Sequence, residues 1–387
     1  MVVHPLAEIV DSRRSEMCAL LEAIVNIDSG SNHREGVAQV GSLLGDHLKK
    51  MGFQVTLFPG DKYGDHVYAQ LGSGRPCIFL MGHMDTVFPV GTVRKRPFTL
   101  DTDAGKAYGP GVLDMKGGLV IMLYAVRALL EYRSTLMKGS LKIALNADEE
   151  PGSPESRRYL PSWLEGADWA FVCEPAAPGG TLVTRRKGVG IFRLSVKGKA
   201  AHAGSEPDKG VNAIEELIRK LIEIIRLADP KQGTTVNVGT IEGGQEPYIV
   251  PDSAKAAVDI RVANLEEQKR IEQGINKLVA SSFVKGTSVS VQGGFHRPPM
   301  EPIAGTERLK QVVREAGATL GYNIDFTVAP RGGASDGNLI VTHGIPCIDG
   351  MGPVGSGAHS EEEFIELDSL YEKAKLLALV LDKLLCG

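Results

Sequence analysis

A chain of 387 residues is longer than one hydrophobic core usually serves, and its 43% hydrophobic content can fill two, so the composition predicts a globular two-domain protein. A formal charge of −4 excludes a broad basic surface for nucleic acid or anionic membrane, and no apolar run approaches the ~18 residues of a membrane helix. Five cysteines (Cys18, Cys77, Cys173, Cys347, Cys386) without paired spacing read as reduced, buried thiols, and the N-terminus lacks the pattern of a secretory signal, so the cytoplasm is expected.

The first half alternates as an α/β domain. Residues 6–27 carry apolar positions at helical spacing, and "GVAQVGSLLGDHLKKMG" (36–52) is a second helix closed by Gly52. Strand-like runs follow at 54–58, 66–71 and 77–82, then a helix over 117–132 and strands over 141–147 and 168–174. These strands place polar residues only at their C-terminal ends, which predicts a sheet covered by helices with the site along that edge. Near residue 185 the pattern changes to half-buried strands around amphipathic helices at 212–228 and about 265–283, a compact βαββαβ-like unit. After about residue 296 the first pattern resumes, so a small domain (185–296) interrupts a larger one (1–184 and 297–387).

Five motifs carry acids or histidines at these strand ends. In "MGHMDT", His83 and Asp85 are two apart and can share one side of the chain, as a metal ligand and its orienting carboxylate would. Asp114 sits between glycines in "YGPGVLDMKGG", where an N-cap is the ordinary reading. Glu149 and Glu150 leave a strand in different directions, so one can bind metal while the other faces a water. Glu174 in "VCEPAAPGG" and His359 in "GSGAHSEEE" are, singly, a strand-end glutamate and a loop histidine. Together the motifs supply His, Asp, Glu, Glu and His, a set that zinc accepts. Five ligands exceed one tetrahedral site and fall short of two closed ones, so two open zinc ions sharing Asp114 fit the count.

"GHMDTV", "GPGVLDMKGG", "DEEPGS", "EP", "KGKAAHAG", "GGASDG" and "GAHSEEE", in this order, resemble the M20 family of di-zinc peptidases and amidohydrolases over nearly the whole chain. The likeness is strongest to its glutamate carboxypeptidase (carboxypeptidase G2-like) branch, with acetylornithine deacetylase and succinyl-diaminopimelate desuccinylase as near relatives. It implies a zinc-dependent exopeptidase-like α/β catalytic domain, a mixed sheet with helices on both faces, and an inserted α+β ferredoxin-like lid and dimerisation domain. It further implies two Zn2+ per subunit, for which cobalt or manganese could substitute. His83 and Glu174 would hold one ion, Glu150 and His359 the other, and Asp114 would bridge them through a loop with a cis Asp114–Met115 bond. Asp85 would orient His83, and Glu149 would be general base and acid. Asp148 is left to support the turn.

Carried further, the resemblance has His202 reach from one subunit's lid to the other's zinc site in a homodimer, where it can stabilise an oxyanion. Arg261 would anchor a substrate carboxylate, with Ser335 contributing a hydroxyl. The family's pattern has asparagine thirteen residues before that arginine, where this chain has Tyr248, which offers a hydroxyl further out on a bulky ring in place of an amide. Glutamate rather than aspartate at Glu174 goes with carboxypeptidases and deacylases. The expected activity is therefore hydrolysis of a peptide or N-acyl amino acid next to a free carboxylate, foremost by a glutamate carboxypeptidase. The alternative is an N-acyl-amino-acid deacylase. A non-catalytic binding protein would have lost a ligand or the base, and none is missing.

Overall fold

The structure is a computed structural model that describes residues 4–133 and 139–386. Contacts divide the chain into two compact units, one of Met1–Arg185, Pro302–Ala329 and Ser335–Gly387, the other of Arg186–Glu301 and Pro330–Ala334. The short excursion Pro330–Ala334 is held in the second unit by the backbone bond from Lys187 N to Arg331 O (2.8 Å) and by Arg261 and Arg186, which donate to the Gly332 and Gly333 carbonyls.

In the first unit, Cys77–His83 and Ser140–Asn146 are buried at every position, as strands covered on both faces must be. They lie in a six-stranded mixed sheet of order Gln54–Phe58, His66–Leu71, Ser140–Asn146, Cys77–His83, Trp169–Val172, Cys347–Ile348. The first three pair antiparallel and the last four parallel. Gly117–Tyr132 is apolar almost all round and is a buried helix, packed against the C-terminal helix Leu367–Cys386 in one continuous core. The apolar run at 6–27 folds as two helices, Pro5–Ser12 and Arg14–Val25, because Arg13 leaves helical geometry at φ −106°, ψ 6°. A smaller four-stranded sheet joins Gly355–Ser356, Phe364–Glu366, Lys106–Tyr108 and Thr99–Asp101. All five cysteines are free; Cys77, Cys173 and Cys347 are buried, whereas Cys386, at the end of its helix, is exposed.

The second unit has strands Gly188–Lys197, Thr235–Gly243, Ser253–Val262 and Ser288–Arg297 and helices Ala213–Ile225 and Leu265–Val279, in β-α-β-β-α-β order. Its all-antiparallel sheet runs fourth, first, third, second, the ferredoxin-like arrangement. Alternate residues such as Leu194, Val196, Val258 and Ile260 point into a separate core beneath the two helices. Asn212 and Asn264 cap those helices, accepting from the Glu215 and Glu267 amides at 3.0 and 2.8 Å.

The helix Gly117–Tyr132 begins against the end of a sheet strand, and a Cβ on Gly118 would overlap the Cys173 carbonyl oxygen. Gly118→Ala should therefore push the helix start from the sheet and cost about 1–3 kcal/mol of stability, read as a lowered urea midpoint. An unchanged midpoint would mean that this approach does not constrain the fold.

Candidate metal centre

Parallel register gathers the strand ends. His83 pairs with Asn146 and Met81 with Val172, so the segments that follow, through Asp85, Glu150 and Glu174, leave the sheet at one edge. The strand predicted over 168–174 ends at Val172, which frees Glu174 to turn toward that edge. Asp114 comes from the turn Val112–Lys116 ahead of the buried helix, with a cis bond to Met115. It is not an N-cap; Lys116 precedes that helix, and the Asp114 carboxylate meets two imidazoles.

Those contacts set out two half-sites. Asp114 Oδ1 lies 3.2 Å from His83 Nε2, which is also 3.6 Å from Glu174 Oε1. Asp114 Oδ2 lies 3.2 Å from His359 Nε2, which is also 3.3 Å from Glu150 Oε2. Two ligand atoms bound tetrahedrally to one zinc, each about 2.0–2.1 Å away, are separated by about 3.3 Å, so both half-sites have the spacing of atoms that share an ion. His83, Glu149 and Glu174 also offer ligand atoms within 4.8 Å of one another, which puts Glu149 beside the first half-site. His359 is held at φ 65°, a left-handed conformation that costs a non-glycine residue about 1–3 kcal/mol.

The electrostatics call for cations. Asp85, Asp114, Glu149, Glu150 and Glu174 bring five carboxylates against two imidazoles. Burial raises the Glu150 carboxyl above its ordinary value, with the Asp114 charge adding to the effect, and Glu150 Oε1 is buried without a hydrogen-bond partner. Burial opposes the Asp114 charge, yet hydrogen bonds from His359 and His83 hold that carboxyl well below the usual range. Burial likewise works against a charged His83, but Asp114, Asp85 and Glu174 hold it well above its ordinary value. The hydrogen bonds to Asp114 and Glu150 raise His359 to about 10. Nitrogen and carboxylate donors, two open half-sites and an orphaned oxygen fit a pair of divalent ions of the zinc, cobalt or manganese kind.

Asp85 is fully buried, and its work is broader than the sequence implied. His83 Nδ1 donates to the Asp85 backbone carbonyl at 2.9 Å, with the carboxylate at 3.4 Å, which leaves Nε2 facing Asp114 and Glu174. The carboxylate itself accepts the amides of Glu149 (3.1 Å) and Glu150 (3.3 Å) and the hydroxyl of Ser31 (2.6 Å). Ser31 carried no sequence signal, since it lies 54 residues away in an ordinary loop. Asp148 supports the turn, accepting the Glu155 and Ser156 amides at 2.6 and 3.0 Å. A cleft of about 600 Å³ opens beside Glu150, walled by Tyr63, Phe88, Pro89 and Val90 with Lys62 and His33 at hand.

Ser335 is fully buried: its hydroxyl donates to Asp349 (2.5 Å) and accepts from the Gly337 amide (3.0 Å), capping the helix Asp336–Thr342. That commitment leaves it unsuited to the substrate contact expected of it. In the second unit, Arg261 is half-exposed, with Nε 3.1 Å from Asp259 and Nη1 2.9 Å from the Gly332 carbonyl. His202 is exposed, and its Nδ1 accepts the Gly204 and Ser205 amides, both at 3.1 Å. Tyr248 stands 60% exposed, and its carbonyl accepts the Ala203 amide beside His202.

A mixed sheet that collects these donors at one edge has the build of a metallohydrolase. The profile of peptidase family M20/M25/M40 matches residues 79–383. Carboxypeptidase G2 of Pseudomonas sp. (strain RS-16) is 32% identical over 370 residues, covering 92% of this chain and 87% of that protein. Succinyl-diaminopimelate desuccinylase of Methylorubrum extorquens (strain PA1) is 28% identical, covering 94% and 97%. The YXEP protein of Bacillus subtilis, described as a dinuclear metal binding peptidase, shares the fold at 17% identity with a TM-score of 0.67, covering 97% and 99%. The chain belongs to the M20 family and is a metal-dependent hydrolase, which sets aside the reading as a non-catalytic binding protein.

Because an imidazole must lose its proton to bind metal, uptake by the metal-free protein at about pH 8 should release at least one proton, since His359 holds its own up to about 10. Apparent affinity should climb as pH rises toward that value. Proton release read with an indicator dye in weak buffer checks this; metal uptake without release would mean that His359 is already neutral at pH 8 and that its neighbours do not hold its proton.

Proposed function

We propose that this enzyme is a zinc-dependent carboxypeptidase that cleaves the amide bond before a C-terminal, glutamate-like amino acid. The observation that carries the reading is the Asp114 carboxylate, one oxygen directed to His83 and the other to His359. Identity to carboxypeptidase G2 along most of the chain supports the substrate class. His83 and Glu174 would hold one zinc, Glu150 and His359 the other, and Asp114 both. When bound, the pair supplies positive charge that acidifies water and polarises a carbonyl.

The chain's own groups do the rest. Glu149, its backbone amide fixed by Asp85, takes a proton from the attacking water and delivers it to the leaving nitrogen, so that one water is consumed and a carboxylic acid and an amine are released. His202 accepts two backbone amides at Nδ1, so its Nε2 bears the proton and serves as a donor to the oxyanion. Arg261 exchanges Asp259 for the substrate carboxylate, a planar anion that suits its guanidinium, and the exposed Tyr248 hydroxyl contacts the same end of the substrate. The cleft beside Glu150 takes the acyl side. Ser335 has no part in this scheme.

Dimerisation through the inserted domain is part of the proposal. Ile218, Ile222 and Ile225 form an exposed stripe on the helix Ala213–Ile225, and Thr235–Gly243 is an unpaired sheet edge that bears the exposed Ile241. Free thiols fit a reducing cytoplasm, and no helix among the described residues is long and apolar enough to cross a membrane. The likeness to succinyl-diaminopimelate desuccinylase favours, as a second reading, a deacylase with the same chemistry and an acyl group across the bond.

Zinc-loaded protein screened against folate-type acyl-glutamates, dipeptides, and N-acetyl or N-succinyl amino acids should prefer the acyl-glutamates. On the preferred substrate, Glu149→Gln should keep its metal and lose about 100-fold or more in kcat. Preference for acetylornithine or a succinyl amino acid would replace the carboxypeptidase with the deacylase, and near-normal turnover at full metal occupancy would refute the base.

Contribution of His202 across a dimer has its own signature. Inactive Glu149→Gln and His202→Ala proteins, unfolded and refolded as a mixture, should recover activity, because each mixed dimer pairs an intact Glu149 with an intact His202 at one site. No recovery in dimers shown to be mixed would confine His202 to its own subunit's site or remove it from the chemistry.

A further inference from the structure

The "SEEE" run after His359 contains a carboxylate that the proposed chemistry leaves unused. Glu363 is fully buried, four residues beyond His359. Its Oε2 accepts the Gly111 amide at 2.8 Å, and its Oε1 accepts the amides of Leu113 and Asp114 at 2.9 and 3.0 Å. Three N–H groups of one short turn thus converge on the two oxygens of a single carboxylate, in the manner of an anion site whose occupant is the protein's own side chain.

The small sheet explains how it gets there. Phe364 pairs with Tyr108 in antiparallel register, so the residue before Phe364 meets the loop that follows Tyr108. Gly111 can take part because it adopts φ 74° and because a Cβ there would press on Thr86 Cγ2 at 2.6 Å.

We propose that Glu363 is the positioning residue of the metal centre: it fixes the backbone at Asp114 so that the two carboxylate oxygens stay divided between the half-sites. This rests on the reading of Asp114 as a shared ligand. The reasoning is chemical. A buried carboxylate next to another is costly, and a loop that needed only filling would be served by an apolar residue. A carboxylate instead gives two acceptor atoms, which can hold three N–H groups of one short turn and fix its backbone direction. Since Glu363 and His359 share a segment, the loop that brings one ligand also clamps the loop that brings another.

A glutamine keeps the size of the side chain but turns one acceptor into an N–H donor, which would face the Gly111 amide or the Leu113 and Asp114 amides. Glu363→Gln should bind Zn2+ about 10–100-fold more weakly by chelator competition, and its Co2+-loaded form should show an altered d–d absorption spectrum, the expected scale for loss of a group that holds a ligand in place. The metal-free protein should stay folded, its melting temperature lowered only by what an unsatisfied buried amide costs. Should the glutamine variant not fold, Glu363→Asp, which keeps both acceptors but shortens their reach, carries the same measurements. Wild-type affinity and spectrum in a folded variant, or collapse of both variants, would make Glu363 a general structural residue and overturn the proposal. Asp114→Asn, measured alongside, separates the failures: if it binds zinc as the wild type does, the shared-ligand reading itself falls and this inference with it.

Discussion

The structure turns on the concentration of negative charge at one sheet edge. Carboxylates within hydrogen-bonding reach of one another repel, and burial increases the repulsion by removing water. The chain answers with directed dipoles. Asp85 takes the amides of Glu149 and Glu150, and Asp148 takes those of Glu155 and Ser156. Glu363 takes three more from the turn around Asp114. Asp85 and Glu363 thus hold the backbone at Glu150 and Asp114, both in the candidate ligand set, while Asp148 holds the turn that follows.

Parallel register is what makes the assembly possible. Cys77–His83, Ser140–Asn146 and Trp169–Val172 run the same way, the first two ending level and the third ending beside Met81, so three chain segments far apart in sequence arrive together. The remaining two donors come from the small sheet, whose pairing of Phe364 with Tyr108 brings the His359 segment to the Asp114 turn. The second unit has a core of its own, separate from the one beneath that sheet edge. Its Arg261 is preoccupied by Asp259, a half-exposed pair of the kind worth about 0–1 kcal/mol, so exchanging it for another carboxylate would cost little.

Regular elements were legible because their patterns are long. The run 117–132 is a helix over those same residues, and the strand at 54–58 falls where its apolar alternation put it. The break at Arg13 was not legible, because the apolar spacing continues through it. Among site candidates, the acids and histidines were visible as motifs at strand ends, and the contacts of His83, Asp114, Glu150, Glu174 and His359 bring them together. What stayed hidden was the layer behind them. Ser31 and Glu363 act on partners 54 and about 250 residues away; no local pattern ties the Ser31 hydroxyl to the Asp85 carboxylate, and the amides that Glu363 accepts leave no trace in their residues' side chains. Ser335, which the family likeness assigned to the substrate, has its hydroxyl engaged by a helix cap and Asp349, and only the fold shows this.

The same logic explains how adjacent residues of identical chemistry come to differ. Glu149 and Glu150 have the same side chain, and nothing local to either distinguishes them. Their amides are held by different oxygens of one Asp85 carboxylate, which fixes the peptide plane between them. With that plane set, the two side chains diverge, one toward His83 and Glu174, the other to His359 with a second oxygen buried and unpartnered. In the proposed scheme, the division between a proton-handling Glu149 and a metal-facing Glu150 would thus rest on the backbone that Asp85 holds.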